Sequence, residues 1–180
     1  IGQIPPGDKD PFALRRAALG AIRILVEQGV DADLDELIAR AAEGYGAQRP
    51  GLAGSDTAPQ VKEFILGRLR VYYTSQGFGH DEVGAVLAAG AGSLPDVDRR
   101  LRALAVFRRL PEAESLTTAN KRVKNILRQA GGPVPAAADP DLYAEEEERA
   151  LALHVQALDE EVAPLLAARD YEAALKRLAA

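Results

Sequence analysis

The sequence predicts an all-α protein, a helical bundle with room for two subdomains. Three observations carry that expectation. Apolar residues recur at three- and four-residue spacing through nearly every periodic stretch. No stretch alternates apolar and polar residues for long enough to make a strand. Gly or Pro stands wherever the helical pattern lapses.

Asp10 followed by Pro11 predicts the first helix start, because a carboxylate accepts the unpaired amide protons of a first turn and Pro tolerates the first helical position. Phe12, Leu19, Ile22 and Val26 then form an apolar stripe that Gly29 closes. A second helix is expected from Asp33 to Tyr45, with Leu34, Leu37, Ile38 and Ala41 on one face. The glycines and Pro50 between Gly46 and Thr57 predict a loop. A long helix follows over Ala58–Gln76, carrying Val61, Phe64, Ile65, Leu69 and Tyr72 or Tyr73, and Gly77 and Gly79 end it. Shorter helices fit Asp81–Ala89, Pro95–Arg109, and Glu112 or Ser115 to Gln129. Residues 131–140 are rich in Gly and Pro and read as a loop or linker. Beyond it, Asp141 or Leu142 opens a helix that Pro164 should bend or break, and Tyr171 begins a last one.

Composition narrows the class. Hydrophobic residues make up 47% and charged residues 27% of the 180, values that permit a buried core and exclude disorder and fibres. No apolar run approaches the roughly 18–20 residues of a spanning helix, so no membrane role is expected. The absence of Cys excludes disulfides, thiolate zinc sites and thiol nucleophiles, and fits a reducing, cytoplasmic setting. The absence of Met, with Ile at position 1, leads us to expect a piece of a longer protein.

The formal net charge of -5 argues, taken whole, against nucleic acid. Its distribution argues otherwise. Residues 1–130 carry 18 basic and 16 acidic side chains, while 131–180 carry 4 and 11. Between positions 99 and 128 nine bases (Arg99, Arg100, Arg102, Arg108, Arg109, Lys121, Arg122, Lys124 and Arg128) face only Glu112 and Glu114. At about 100° per residue, Arg99, Arg102 and Arg109 gather opposite Val97, Leu101 and Leu104. Lys121, Lys124 and Arg128 gather away from Leu116, Val123, Ile126 and Leu127, which are expected to point inward. Two basic helix faces of this kind are the footprint of a phosphate backbone, or else the solvated outside of a bundle. Tyr72 and Tyr73, near Arg68 and Arg70, could stack on bases; the spacing also suits core packing.

Catalytic patterns are absent. His80-Asp81 has the form of a metal-binding dipeptide, but the second His, His154, lies in another helical pattern, and Asp81 suits a helix start. Glu145 to Glu148 complement a helix dipole more simply than they form an acid–base pair. No Gly-rich segment joins Lys to Ser or Thr as a phosphate-binding loop requires, and Gly77-Phe78-Gly79 follows a helix where a dinucleotide motif needs a strand. No catalytic residue and no metal ligand is assigned.

Two segments resemble a known family. Ile1-Gly-Gln-Ile-Pro-Pro-Gly-Asp-Lys-Asp-Pro-Phe-Ala-Leu-Arg-Arg-Ala-Ala-Leu-Gly20 resembles the stretch of bacterial glycyl-tRNA synthetase beta subunits that leads from an HD-like region into the C-terminal helical part. Ala119-Asn-Lys-Arg-Val-Lys-Asn-Ile-Leu127 is similar to a block of the same family within the anticodon-binding domain called DALR, shared with arginyl-tRNA synthetases. Phe64-Ile-Leu-Gly-Arg-Leu-Arg70 and Val106-Phe-Arg108 also fit, so the resemblance covers essentially the whole chain. Pro6 and Asp8 stand where the family pattern has Thr and Ser, and the HD-like region's metal-type residues are missing, so no hydrolase function carries over.

The resemblance implies residues 1–55 as a helical segment following the HD-like region, and 56–180 as a DALR-like domain with a loop at 131–140 that stops before the family's last helices. It implies a tRNA-recognition part of an ATP-dependent glycine–tRNA ligase, with ATP, magnesium and the catalytic centre on a separate alpha subunit and no cofactor here. The implied partners are glycine tRNA and that alpha subunit, in an alpha/beta hetero-oligomer. The candidate RNA contacts are Arg99, Arg100, Arg102, Arg109, Lys121, Arg122, Lys124, Arg128 and Tyr73. Asn120, beside the apolar stripe, is expected to make a buried hydrogen bond. The competing reading is a helical protein-interaction domain that docks the alpha subunit or the rest of beta.

Overall fold

The computed structural model describes residue 10 and residues 12–48, 56–132 and 138–179. The described residues are helical, with one isolated bridge between Asp33 and Ser93 and no strand among them. The helices are α1 (Leu14–Glu27), α2 (Leu34–Gln48), α3 (Thr57–Thr74), α4 (His80–Ala88), α5 (Leu94–Phe107), α6 (Glu112–Ala130), α7 (Glu146–Ala167) and α8 (Tyr171–Ala179). A 3₁₀ turn, Pro140–Leu142, precedes α7. The chain forms two compact units, residues 1–101 and 102–180. The division expected at 55/56 falls at the edge of residues 49–55, outside the described residues.

Local chemistry sets the helix ends of the first unit. Asp10 accepts the amide protons of Arg15 at 3.3 Å and Arg16 at 3.4 Å, so it caps α1 from one turn upstream. Pro11 lies outside the described residues. Phe12 is 57% exposed and, contrary to expectation, takes no part in the buried stripe, because the helix begins only at Leu14. At the far end Gly29 takes φ +64, and the amides of Gly29 and Val30 return to the carbonyls of Val26 and Leu25. That pair of bonds is the Schellman closure, and it needs a residue at ease in the left-handed region. Asp33 caps α2 through Oδ1, which accepts from Asp35 at 2.8 Å and Glu36 at 3.1 Å. Glu82 reaches back to the Gly79 amide at 2.8 Å to start α4, and His80 is exposed in the first turn.

α3 packs against α1, α2 and α4 and supplies the centre of the first core. Leu69 and Tyr73 on α3 are wholly buried, as are Ile22, Leu94 and Leu101. Tyr73 meets Tyr72 and Phe78 edge-on, with ring centroids 5.1 and 5.7 Å away. The segment before α5 is stitched to the start of α2: Leu34 donates its amide to the Gly92 carbonyl at 2.7 Å, and the Ser93 hydroxyl donates to Asp31 at 2.6 Å.

In the second unit α7 packs chiefly on α8, and α6 also meets α8. The Arg177 guanidinium donates through two nitrogens to both carboxylate oxygens of Glu161 and fastens α8 to α7. That pairing holds the Glu161 carboxyl below the usual carboxylate range and raises Arg177. Glu148 accepts from the amides of Ala144 at 2.8 Å and Glu145 at 3.1 Å, closing the N-terminus of α7. Those bonds, first the one from Glu145, lower its pKa. α7 is not broken at Pro164 and continues to Ala167. Pro removes one amide donor, and Pro164 lies in the last turn, where little helix remains to disturb.

Candidate nucleic-acid interface

The bases singled out by their spacing divide between the two units. Arg99 and Arg100 belong to the first. Arg99 is exposed on α5, whereas Arg100 is bound into the fold: its Nε lies 3.0 Å from the Asp96 carboxylate and its Nη2 donates to the Gly90 carbonyl at 2.6 Å. A guanidinium so engaged stabilises the entry to α5 and is poorly placed to leave for a phosphate.

Within the second unit Arg102, Arg108 and Arg109 are exposed on the end of α5 and the turn after it. Lys121, Arg122, Lys124 and Arg128 are exposed along α6. Among the described residues no acid pairs with Arg109, Lys121, Arg122 or Lys124. Arg128 donates to the Asn125 side-chain carbonyl at 3.1 Å and thereby braces an amide on the same polar face. Bases without acidic neighbours repel one another, a cost that an approaching polyanion removes.

Three expectations change. Tyr73 is wholly buried among Tyr72 and Phe78 and cannot stack on a base; its position on the inner face of α3 makes it core. Tyr72 is half-buried, and its hydroxyl donates to Glu27 at 3.3 Å. Val123, Ile126 and Leu127 do not point inward; they are 52%, 55% and 43% exposed. The cause is coverage: α6 meets the nine-residue α8, and every residue from Thr117 to Ala130 is exposed. Asn120 is exposed with them and makes no buried hydrogen bond.

Sequence reasoning missed one feature. Pro111, Glu114, Ser115, Thr118, Ala119 and Arg122 line an open hollow of about 570 Å³ beside the first half of α6. Ser115, Thr118 and Arg122 stand three and four residues apart, which puts two hydroxyls and a guanidinium on one helix face. That spacing was the available signal. The hollow lies beside the basic stripe; its two hydroxyls and its guanidinium are groups that commonly meet phosphate and sugar oxygens, while Glu114 puts one carboxylate on its rim. Among the described residues no group of three or more His, Cys, Asp or Glu could hold a metal ion, and no helix is long and apolar enough to cross a membrane.

The geometry is that of an all-helical protein with an uncovered basic helix, α6. Comparison with known proteins is more specific. Residues 1–88 match the family described as glycyl-tRNA synthetase beta subunit. Over its whole length the chain is similar to glycine–tRNA ligase beta subunits: 49% identical over 180 residues to that of Aeromonas hydrophila, and 47% to those of Pasteurella multocida and Pseudomonas aeruginosa. In each case the match takes in 100% of this chain and 26% of the relative, so the chain spans about a quarter of the length of these proteins.

Proposed function

We propose that this chain is a segment of a glycyl-tRNA synthetase beta subunit and that it serves the ligation of glycine to tRNA as a tRNA-recognition element. The observation that carries the reading is α6, an exposed helix with four bases and no acid after Glu114. The whole-length similarity to glycine–tRNA ligase beta subunits supports the identity of the nucleic acid.

In this reading the RNA backbone lies along Arg102, Arg108 and Arg109 and along Lys121, Arg122, Lys124 and Arg128. Each guanidinium or ammonium replaces a condensed counterion on a phosphate, so binding is salt-sensitive. Ser115 and Thr118 supply neutral hydrogen bonds to phosphate or ribose, and Asn125 reaches a base edge. Residues 56–180 act as a DALR-like anticodon-binding domain, and the chain performs no bond-making step itself. Adenylation of glycine, with its ATP and magnesium, belongs to a separate alpha subunit with which the whole beta subunit forms a hetero-oligomer.

The test is a titration of the chain with glycine tRNA and with the same tRNA carrying a swapped anticodon. Both should bind, the swapped form at least tenfold more weakly, which corresponds to about 1.4 kcal/mol. Equal affinities would reduce the site to backbone binding, and no binding at low salt would remove the function.

A further inference from the structure

We propose, resting on the recognition reading of α6, that the hollow beside its first half takes a ribose of RNA and reads the 2′-hydroxyl, so that the chain distinguishes RNA from DNA. The hydrogen-bonding roles of the lining groups carry this. Ionised Glu114 offers lone pairs only. The Ser115 hydroxyl donates its one proton to the Glu112 carbonyl at 2.9 Å, so it too has only lone pairs left to offer. Both line the hollow of about 570 Å³, and neither can bond to a phosphate oxygen, which has no proton to give. Among the described residues no base pairs with Glu114. Thr117 returns its hydroxyl proton to its own helix, at 2.7 Å from the Ala113 carbonyl. Thr118 makes no such bond among the described residues and keeps its proton for the hollow. Arg122, one turn further on, supplies donors only.

The order of these groups along the helix matches one nucleotide. The two acceptors, Glu114 and Ser115, come first, the Thr118 hydroxyl follows, and the Arg122 guanidinium stands about 6 Å further along the axis than Thr118. Within an RNA strand the sugar–phosphate backbone has one proton to donate, that of the 2′-hydroxyl, and its phosphates only accept. With the 2′-hydroxyl at Glu114 and Ser115 and the phosphate at Arg122, each group of the hollow meets its complement. Deoxyribose has nothing to donate, so it would leave both acceptors facing carbon while Glu114 still repels the strand. The carboxylate on the rim therefore acts as a filter: its repulsion of phosphate is offset only where a hydroxyl binds it. A base amine is the other donor that RNA could bring to these acceptors, and replacing ribose by deoxyribose separates the two cases.

The test is a titration of the chain with glycine tRNA and with forms of it in which 2′-deoxyribose replaces ribose in one arm at a time. One form should bind about fivefold more weakly than the all-ribose tRNA, the effect of one lost hydrogen bond. Glu114→Ala with Ser115→Ala should bind that form and the all-ribose tRNA equally. Both positions are exposed and Ala favours the helix, so helicity should be preserved. Lys124→Gln, away from the hollow, should weaken all forms alike and keep the ratio. Equal binding of every form by the wild-type chain overturns the proposal, because a base amine or a bare phosphate would then fill the hollow. A ratio that persists in the double variant also overturns it, since RNA shape and not the hollow would be its source. Displacement of the tRNA by equimolar AMP would assign the hollow to a free nucleotide and overturn it as well. Failure of every form to bind at low salt removes the recognition reading, and this inference with it, and is distinct from each of those results.

Discussion

The two compact units solve the same packing problem to different degrees. The large side chains most fully removed from water, Tyr73, Ile22, Leu69, Leu94, Leu101, Val83 and Val97, all belong to the first unit. Among the described residues of the second, the buried apolar side chains are Ala103, Phe107, Ala113, Val162 and Ala174, three of them alanines that bury little area. Leu and Ile side chains contribute roughly 1.5–3 kcal/mol each when fully buried, so the first unit is stabilised by its own core. The second leaves Val123, Ile126, Leu127, Leu151 and Val155 in water beside dense charge. The difference is one of coverage: α1–α4 bury large apolar side chains, whereas α6 and the first half of α7 leave theirs in water.

Substitutions can break that contrast. The largest effect is expected in the first core: Leu69→Ala should cost about 2–5 kcal/mol and Tyr73→Ala about 3–5 kcal/mol, read from denaturant unfolding. Val123→Ala on α6 should change stability by less than about 0.5 kcal/mol, because the side chain is already half in water. Comparable losses at Leu69 and Val123 would show that α6 is covered and the contrast false. Next come the ends of helices in the first unit. Asp33→Ala removes two hydrogen bonds to the first turn of α2 and should cost about 1 kcal/mol. Gly29→Ala forces a side chain into φ +64 and should cost about 1–2 kcal/mol, with unfolding by heat as the measurement.

The smallest effect concerns pH in the second unit. The carboxyls of Glu148 and Glu161 are lowered by their partners, so their contribution is present above the ordinary glutamate range and is lost as the pH falls through their folded values. Circular dichroism should show α7 and α8 loosening on acidification below that range. Arg177→Gln should remove the Glu161 part of the effect and leave the Glu148 part. Because both carboxylates are exposed, the change is small, and a sharp acid transition in the second unit would point to charges buried elsewhere.

The helices and most of their ends are legible in the sequence because their signals are local. Asp10, Asp33 and Gly29 mark helix ends through hydrogen-bonding groups and backbone freedom that depend on a few neighbours. Which face of a helix is covered depends on other helices and is legible only where cover exists. Ile22 and Leu69 obey the stripe rule because α1 and α3 pack on each other. Val123, Ile126 and Leu127 have the same spacing but meet only a short helix. Tyr73 and Arg100 show the reverse: residue type suggests a surface role, while ring packing in one case and the Asp96 and Gly90 bonds in the other bind them into the fold. The basic stripe is readable from charge alone. The hollow beside Arg122 requires knowing that Pro111 turns the chain into α6.

RNA recognition by α6 is tested most sharply by the salt dependence of glycine tRNA binding, measured for the wild-type chain and for a variant with Lys121, Lys124 and Arg128 changed to Glu. These positions are exposed, so helicity should be preserved. Backbone recognition by these bases predicts weaker binding at every salt concentration and a log–log slope shallower by roughly 0.7–0.9 for each phosphate that the variant no longer neutralises. An unchanged affinity and slope in a fully helical variant would contradict it.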